Sequence, residues 1–300
     1  MESKVKTMKI SDVCLAILVA LIWGFNFVVI KVGLGSFPPL LFSALRFTFS
    51  AIPAVLFINR GNVSWRWIIS IGVSLGIVMF GLLFIGMNIG MPAGLSSVVL
   101  QVQAIFTLML SSIILRDYPS LWQKIGMAVS FGGIGLLIYE MFGSTSLLGL
   151  VLVICAGSVW AFSNILMKLS GNIDMFRLII WMSIVPPVPL FFLSLLFEEG
   201  HLQAMSDITW IGIGTVFYSA LVSTVLAFGI WGKLFKEYSP NIVAPFSLLV
   251  PIFGIISSVI VLNETFSAIQ VAATLLVFTG LSLVVFGTRI STFIMLKLNI

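Results

Sequence analysis

Charged side chains are scarce: they make up 8% of the 300 residues, against roughly a quarter in an ordinary globular chain. With 60% of residues hydrophobic, that shortage excludes a water-facing fold, which at this length has too little interior to hide so much apolar side chain. There is one histidine, His201, and two cysteines, Cys14 and Cys155, so no metal-ligand cluster forms. Both cysteines stand inside apolar runs, away from any Cys-x-x-Cys spacing, and read as small buried hydrophobes. No nucleophile triad or phosphate-binding loop is present. Enzymatic chemistry has no foothold, and no cofactor or metal is called for. The net charge of +5 is not gathered into one run or face, which argues against nucleic acid as a partner.

Long apolar runs are what the chain has instead. A helix crossing the hydrocarbon needs about 20 apolar residues, and the runs predict ten spans, at 12–31, 39–59, 67–89, 93–115, 121–139, 147–168, 176–197, 208–232, 241–262 and 267–287. The fold class is all-α integral membrane, with the lipid bilayer as a partner. The run after Lys4, Lys6 and Lys9 is too long for a signal peptide and lacks a small-x-small cleavage site, so it reads as a retained first span. Placing the N-terminus inside puts every Lys and Arg except Lys31 and Arg46 on the cytoplasmic side, 13 of 15, as the positive-inside rule requires. Both termini are then cytoplasmic, in a multi-pass plasma-membrane protein.

Residues 102–139 and 249–286 align without a gap at an offset of 147, with Gln123 on Gln270, Gly133 on Gly280 and Ser111 on Ser258. Earlier in each half the offset is 137, which puts Trp23, Phe25 and Lys31 on Trp160, Phe162 and Lys168. Each half (12–139 and 147–287, with a cytoplasmic tail at 288–300) therefore holds five helices. An odd number makes the halves cross in opposite senses. Such a 5+5 inverted repeat is a secondary-transporter construction, with a substrate site near the midplane and alternating access around it.

The candidate binding residues are polar groups stranded in apolar spans. Arg46 sits about two turns into the second span, where a guanidinium is costly. Either it snorkels outward, or it faces a water-filled cavity and meets an anion such as a substrate carboxylate, since no acidic residue lies at mid-depth. Trp23 and Trp160 are mid-span, with Asn26 and Asn164 a turn further on. These four either form the two walls of a cavity or pack helices together through an interhelical hydrogen bond. Gln101 and Gln103 are two apart on a helix and point in nearly opposite directions, so one at most faces the same cavity. Lys31 and Lys168 read as snorkelling anchors. Asp117 and Glu264 read as caps of the fifth and tenth helices, and His201 with Glu198 and Glu199 as solvated loop residues. Pro186, Pro187, Pro189, Pro245 and Pro251 are kink sites, and Gly72/Gly76 and Gly86/Gly90 have the spacing of close helix contacts.

Trp23-Gly24-Phe25-Asn26-Phe27, Leu45-Arg46-Phe47 and Pro92-Ala93-Gly94, with the endings Gly133–Leu137 and Gly280–Leu283, resemble the drug/metabolite transporter superfamily, specifically its EamA-type members. The likeness covers about residues 12–287. Leu100-Gln101-Val102-Gln103-Ala104 and Pro245 to Pro251 are similar to the bacterial inner-membrane exporters of O-acetylserine and cysteine within that group. Two family features are missing: Ala104 stands where a proline often occurs, and Arg116-Asp117 and Asn263-Glu264 replace the usual Gly-Glu. The resemblance implies a small-molecule exporter, with a coupling proton as a further candidate partner. Drugs, nucleosides and aromatic amino acids are the alternative cargo.

Overall fold

The computed structural model describes residues 8–298 apart from 145, 172 and 239, and the side chains among them apart from those of 240, 241 and 288–298. Lys4 and Lys6, and the side chains of Arg289 and Lys297, lie outside the described residues. Among the described residues ten helices are long and apolar enough to cross a membrane: α1 Ile10–Gly33, α2 Pro39–Phe57, α3 Trp65–Asn88, α4 Ala93–Leu115, α5 Leu121–Met141, α6 Ser146–Leu169, α7 Met175–Phe197, α8 Trp210–Glu237, α9 Ala244–Leu262 and α10 Ala268–Gly287. These are the spans the apolar runs predict. The one large departure is at the end, where the last helix runs unbroken from Ala268 to Leu298 through the expected tail. Cys14 and Cys155 lie on the outer surface instead of inside it, as small apolar side chains on a lipid-facing stripe can.

Two ends of the bundle can be told apart. One, the basic end, carries the start of α1 and the junctions between α2 and α3, α4 and α5, α6 and α7, and α8 and α9. The other, the far end, carries the remaining loops. The repeat is visible in how the fifth helix of each half starts. Ser120 Oγ accepts from the Gln123 amide at 3.3 Å while Gln123 Oε1 accepts from the Ser120 amide at 2.9 Å. Ser267 and Gln270 make the same reciprocal pair at 3.1 and 3.3 Å. These capping boxes satisfy amides that a helix start leaves open. They also explain why Gln123 and Gln270 are repeated. The caps are therefore serines, and Asp117 and Glu264 are used elsewhere.

Helices in lipid gain little from hydrophobic association, so small residues that let backbones touch set the packing. The α5–α10 seam is the clearest case: a Cβ on Gly126 would stand 2.5 Å from the Gly280 carbonyl, and one on Gly133 2.7 Å from that of Ala273. Ser130 Oγ and Gln123 Nε2 then donate to the carbonyls of Val277 and Val284, at 3.3 and 3.2 Å. Gly24 of α1 is equally tight against the Val250 carbonyl, 2.7 Å away, and Gly254 lies against Ser97, so α1, α4 and α9 meet closely. Gly72 and Gly76 receive Val185 and Pro186 of α7, and Gly86 meets Gly149 of α6. Gly90 differs from the expectation: with φ +125° it is the turn after α3 and not part of a helical pair. Pro186 and Pro187 break α7, whose first stretch ends at Met182 and whose second begins at Pro187.

Two equivalent helices widen mid-span. Gly72–Met79 of α3 and Tyr218–Leu226 of α8 are π-helical, a form that is rare and usually brief. At the basic end, Asp174 accepts from the Phe176 and Arg177 amides and from Lys236 Nζ at 2.7 Å. Burial pushes its carboxyl up, but the Lys236 ammonium and those amides outweigh it and hold the group below the usual carboxylate value. This tie is whole above the ordinary carboxylate range and is lost as pH falls through the lowered value.

If the α5–α10 seam sets the packing, Gly280→Ala forces a methyl into Ser130 and the Gly126 carbonyl. It should destabilise the protein by about 1–3 kcal/mol. Gly132→Ala, where nothing lies within 4 Å, should leave it unchanged. Thermal unfolding in detergent compares the two.

Candidate functional site

Arg46 projects from α2 into the first half's contact with α8. It is 2% exposed, so it does not snorkel. Its Nε and Nη2 donate to Thr224 Oγ1 at 3.3 and 3.1 Å, and its Cζ lies 4.1 Å from the centre of the Phe80 ring. Nη1 is buried and makes no hydrogen bond to the described residues. No carboxylate pairs with the guanidinium among them either. The charge is thus held by one hydroxyl and the faces of Phe80 and Phe47, the latter 5.8 Å away, which leaves the N–H groups of Nη1 for an anion.

The π-helical stretch of α8 is what brings this hydroxyl to Arg46. A wider turn leaves carbonyls without their usual amide, and in a membrane each needs another donor. Thr224 Oγ1 donates to the Ser219 carbonyl at 2.9 Å, Ser50 Oγ lies 3.3 Å from that of Ala220, and Trp23 Nε1 donates to that of Ser223 at 3.0 Å. Ser219 Oγ then donates to Asn26 Oδ1 at 3.1 Å. Trp23 also packs on Phe228 and Trp231, with ring centres 5.0 and 5.2 Å apart. Trp23, Asn26 and Arg46 are therefore gathered on one turn of α8. Thr224, Ser219 and Phe80 belong with them and were not singled out from the sequence, although Ser219, Ser223 and Thr224 form an unusual polar run in an apolar span.

The remaining four candidates lie elsewhere. Asn164 Nδ2 donates to Gln103 Oε1 at 2.7 Å and to Thr107 Oγ1 at 3.1 Å, joining α6 to α4. Gln101 points the other way, as the spacing requires, and its Nε2 donates to the Ser247 carbonyl at 3.3 Å. Trp160 is half-buried against the apolar core. Asn164 is also not the structural counterpart of Asn26. That position is Ser163, offset by 137, whose hydroxyl lies 2.8 Å from Ser74 in the π-helical stretch of α3. Each half's first helix thus holds the widened turn of the other half.

None of the seven candidates lines the larger cavity, about 650 Å³ at the far end, bordered by Ser36, Asn88, Glu198, Glu199 and Asp207. None lines a second cavity of about 290 Å³ between α4, α9 and α10, which is apolar. Glu198 and His201 are more engaged than solvated loop residues would be. Glu198 accepts from the Leu40 and Leu41 amides at 2.7 and 3.2 Å and from Ser194 Oγ, which lies 2.8 Å from His201 Nε2. Lys31 Nζ donates to the Met87 carbonyl at 2.7 Å. Among the described residues no group of His, Cys, Asp and Glu could hold a metal.

The model of the EamA-like transporter family matches residues 10–139 and 147–286. A protein of Escherichia coli K12 described as a probable amino-acid metabolite efflux pump is 37% identical, covering 93% of this chain and 96% of its own length. Its namesake in Salmonella typhimurium is 38% identical over the same shares. An uncharacterized transporter of Bacillus subtilis, YoaV, is 26% identical over 88% and 92%. A solved crystal structure 15% identical to the chain covers 91% of it and 96% of its own chain with a TM-score of 0.62, which shows the shared fold. The chain belongs to the EamA-like transporter family, and it is a multi-pass transporter of the inner membrane with a small-molecule substrate.

Proposed function

We propose that the protein exports small amino-acid metabolites of the O-acetylserine and cysteine kind by alternating access, with Arg46 receiving the substrate carboxylate. The observation that carries this is the buried Arg46 Nη1 with no hydrogen bond. A guanidinium at that depth costs several kcal/mol even on the lenient insertion scales. Thr224 and the Phe80 face offset part of that cost, and a planar carboxylate is the natural complement of the N–H groups left on Nη1. Cargo of this class is supported by the efflux pumps of two enteric bacteria, named for amino-acid metabolites, that share more than a third of the sequence. Trp23 and Asn26 hold the same turn of α8 as the arginine, Gln103 and Asn164 join α4 to α6, and Gln101 and Trp160 stand apart from them. Residues 12–139 and 147–287 act as the two exchanging halves, with the basic end in the cytoplasm.

Thr224 is the positioning residue for Arg46, since it accepts from two of its nitrogens and is anchored to Ser219. In proteoliposomes, labelled cysteine or O-acetylserine should exchange, and Arg46→Gln should raise KM more than tenfold, the size of one charge-assisted hydrogen bond. Thr224→Val should raise KM severalfold and Thr224→Ser should restore it. Cysteamine, which lacks the carboxylate, should compete weakly against the wild type and equally against Arg46→Gln. Absence of flux would remove the cargo assignment; an unchanged KM in Arg46→Gln would remove the carboxylate role alone. For orientation, a fluorescent protein fused after Ile300 should be bright and a periplasmic phosphatase fused there inactive.

A further inference from the structure

α4 and α9 occupy the same place in the two halves and end in the same turn. Arg116 and Asn263 close them in the left-handed region, at φ +56° and +53°. The next amides, of Asp117 and Glu264, each donate to a serine carbonyl, Ser111 and Ser258, at 3.2 Å. All three pairs are related by the offset of 147 residues. The backbone is duplicated, but the carboxylates are used differently.

Glu264 reaches across to the other half. Its Oε1 and Oε2 accept from the Ala93 and Gly94 amides, at 2.7 and 3.0 Å, and so fasten the α9–α10 turn onto the start of α4. Gly94 permits this approach, since a Cβ there would stand 2.7 Å from the Phe266 ring. Two charge-assisted bonds aligned with a helix dipole make this a firm contact. Behind it, every residue of Ala93–Val99 is buried. Asp117, at the basic end, holds no helix start. It pairs with Lys168 at 3.4 Å, with the two side chains 68% and 57% exposed. The half of α4 on its side is looser too: in Val102–Leu110 only Val102 and Ile105 are buried, and in Ser111–Leu115 only Ser111. Lys31, the far-end equivalent of Lys168, meanwhile bonds to the Met87 carbonyl.

We infer that Glu264 and Asp117 are one latch in two copies, seen here fastened at the far end and released at the basic end, and that transport exchanges the two states. The inference rests on the alternating-access reading but on no particular cargo. In the opposite state Glu264 leaves Ala93 and Gly94 and is neutralised by Lys31, as Asp117 is by Lys168 now. Asp117 in turn swings to the opening turn of the ninth span, where Pro240 and Asn241 stand at the offset of Ala93 and Gly94; Pro240 has no N–H, so this copy closes on the Asn241 amide alone and is the weaker of the two. Lys168 thereby favours the state seen here, by holding Asp117 away from its fastened position.

The test is amide hydrogen exchange of the whole protein in nanodiscs without cargo, read on the peptide covering Ala93–Val99. Glu264→Gln should speed exchange there severalfold. Lys168→Met, which frees Asp117, should also speed it, although α4 places that lysine's partner about 34 Å away at 1.5 Å per residue. Asp117→Asn, which removes the competing latch, should slow it at least twofold. The last two variants break the same ion pair, so a merely structural pair would move the peptide in one direction or leave it alone. Either outcome overturns the latch. Because no cargo is present, failure of the O-acetylserine and cysteine assignment does not alter the reading.

Discussion

Inside hydrocarbon no water is available to satisfy a backbone carbonyl, and each unsatisfied one costs several kcal/mol. That constraint governs where this bundle can depart from regular helix. α8 widens mid-span where the first half supplies donors to its carbonyls, and α3 where Ser163 of the second half bonds the Ser74 hydroxyl. For α8 the donor is Trp23 from α1, with Ser50 of α2 sharing its one proton between the Arg46 and Ala220 carbonyls and Thr224 contributing from α8 itself. The two halves are therefore bound at mid-depth by hydrogen bonds to these two stretches, to the backbone of α8 and to a side chain of α3, in addition to the glycine contacts along α5 and α10.

Arg46 draws on the same arrangement. Thr224 turns towards it because the extra residue in the π-helical turn rotates the helix face there, so a backbone irregularity becomes a side-chain position. Arg46 has no equivalent in the second half, where Ser183 stands at the matching offset and bonds to its own helix at Ile179. The duplication supplied a symmetric frame, and a single substitution type placed charge on one side of it. A carboxylate site is then carried by the first half, while the second contributes the turn that aims it.

Much of the frame was legible in the sequence because its cause is coarse. About 20 consecutive apolar residues can do little else than span, and the gapless alignment of 102–139 with 249–286 exposed the duplication. What failed to show were contacts set by angle and not by composition. Asn164 looked like the partner of Asn26 because both are asparagine, yet the matching contact belongs to Ser163. Asp117 and Glu264 looked like caps of the helices that follow them. The serines three residues further on do that work, and this leaves the acids free to act across the bundle. Thr224 could not be linked to Arg46 without knowing that α8 widens between them.

The last helix has a mechanical consequence. Its 31 residues from Ala268 to Leu298 make a rod of about 46 Å at 1.5 Å per residue, against a hydrocarbon thickness of about 30 Å. Roughly a third of it lies beyond the hydrocarbon, in and past the headgroup layer at the basic end. Because its other part is locked to α5 through Gly126, Gly133 and Gly280, the projecting length is a stiff lever: a few degrees of rocking at the seam become ångströms of sweep at its tip. Anything fixed to that tip would report the motion of the halves amplified.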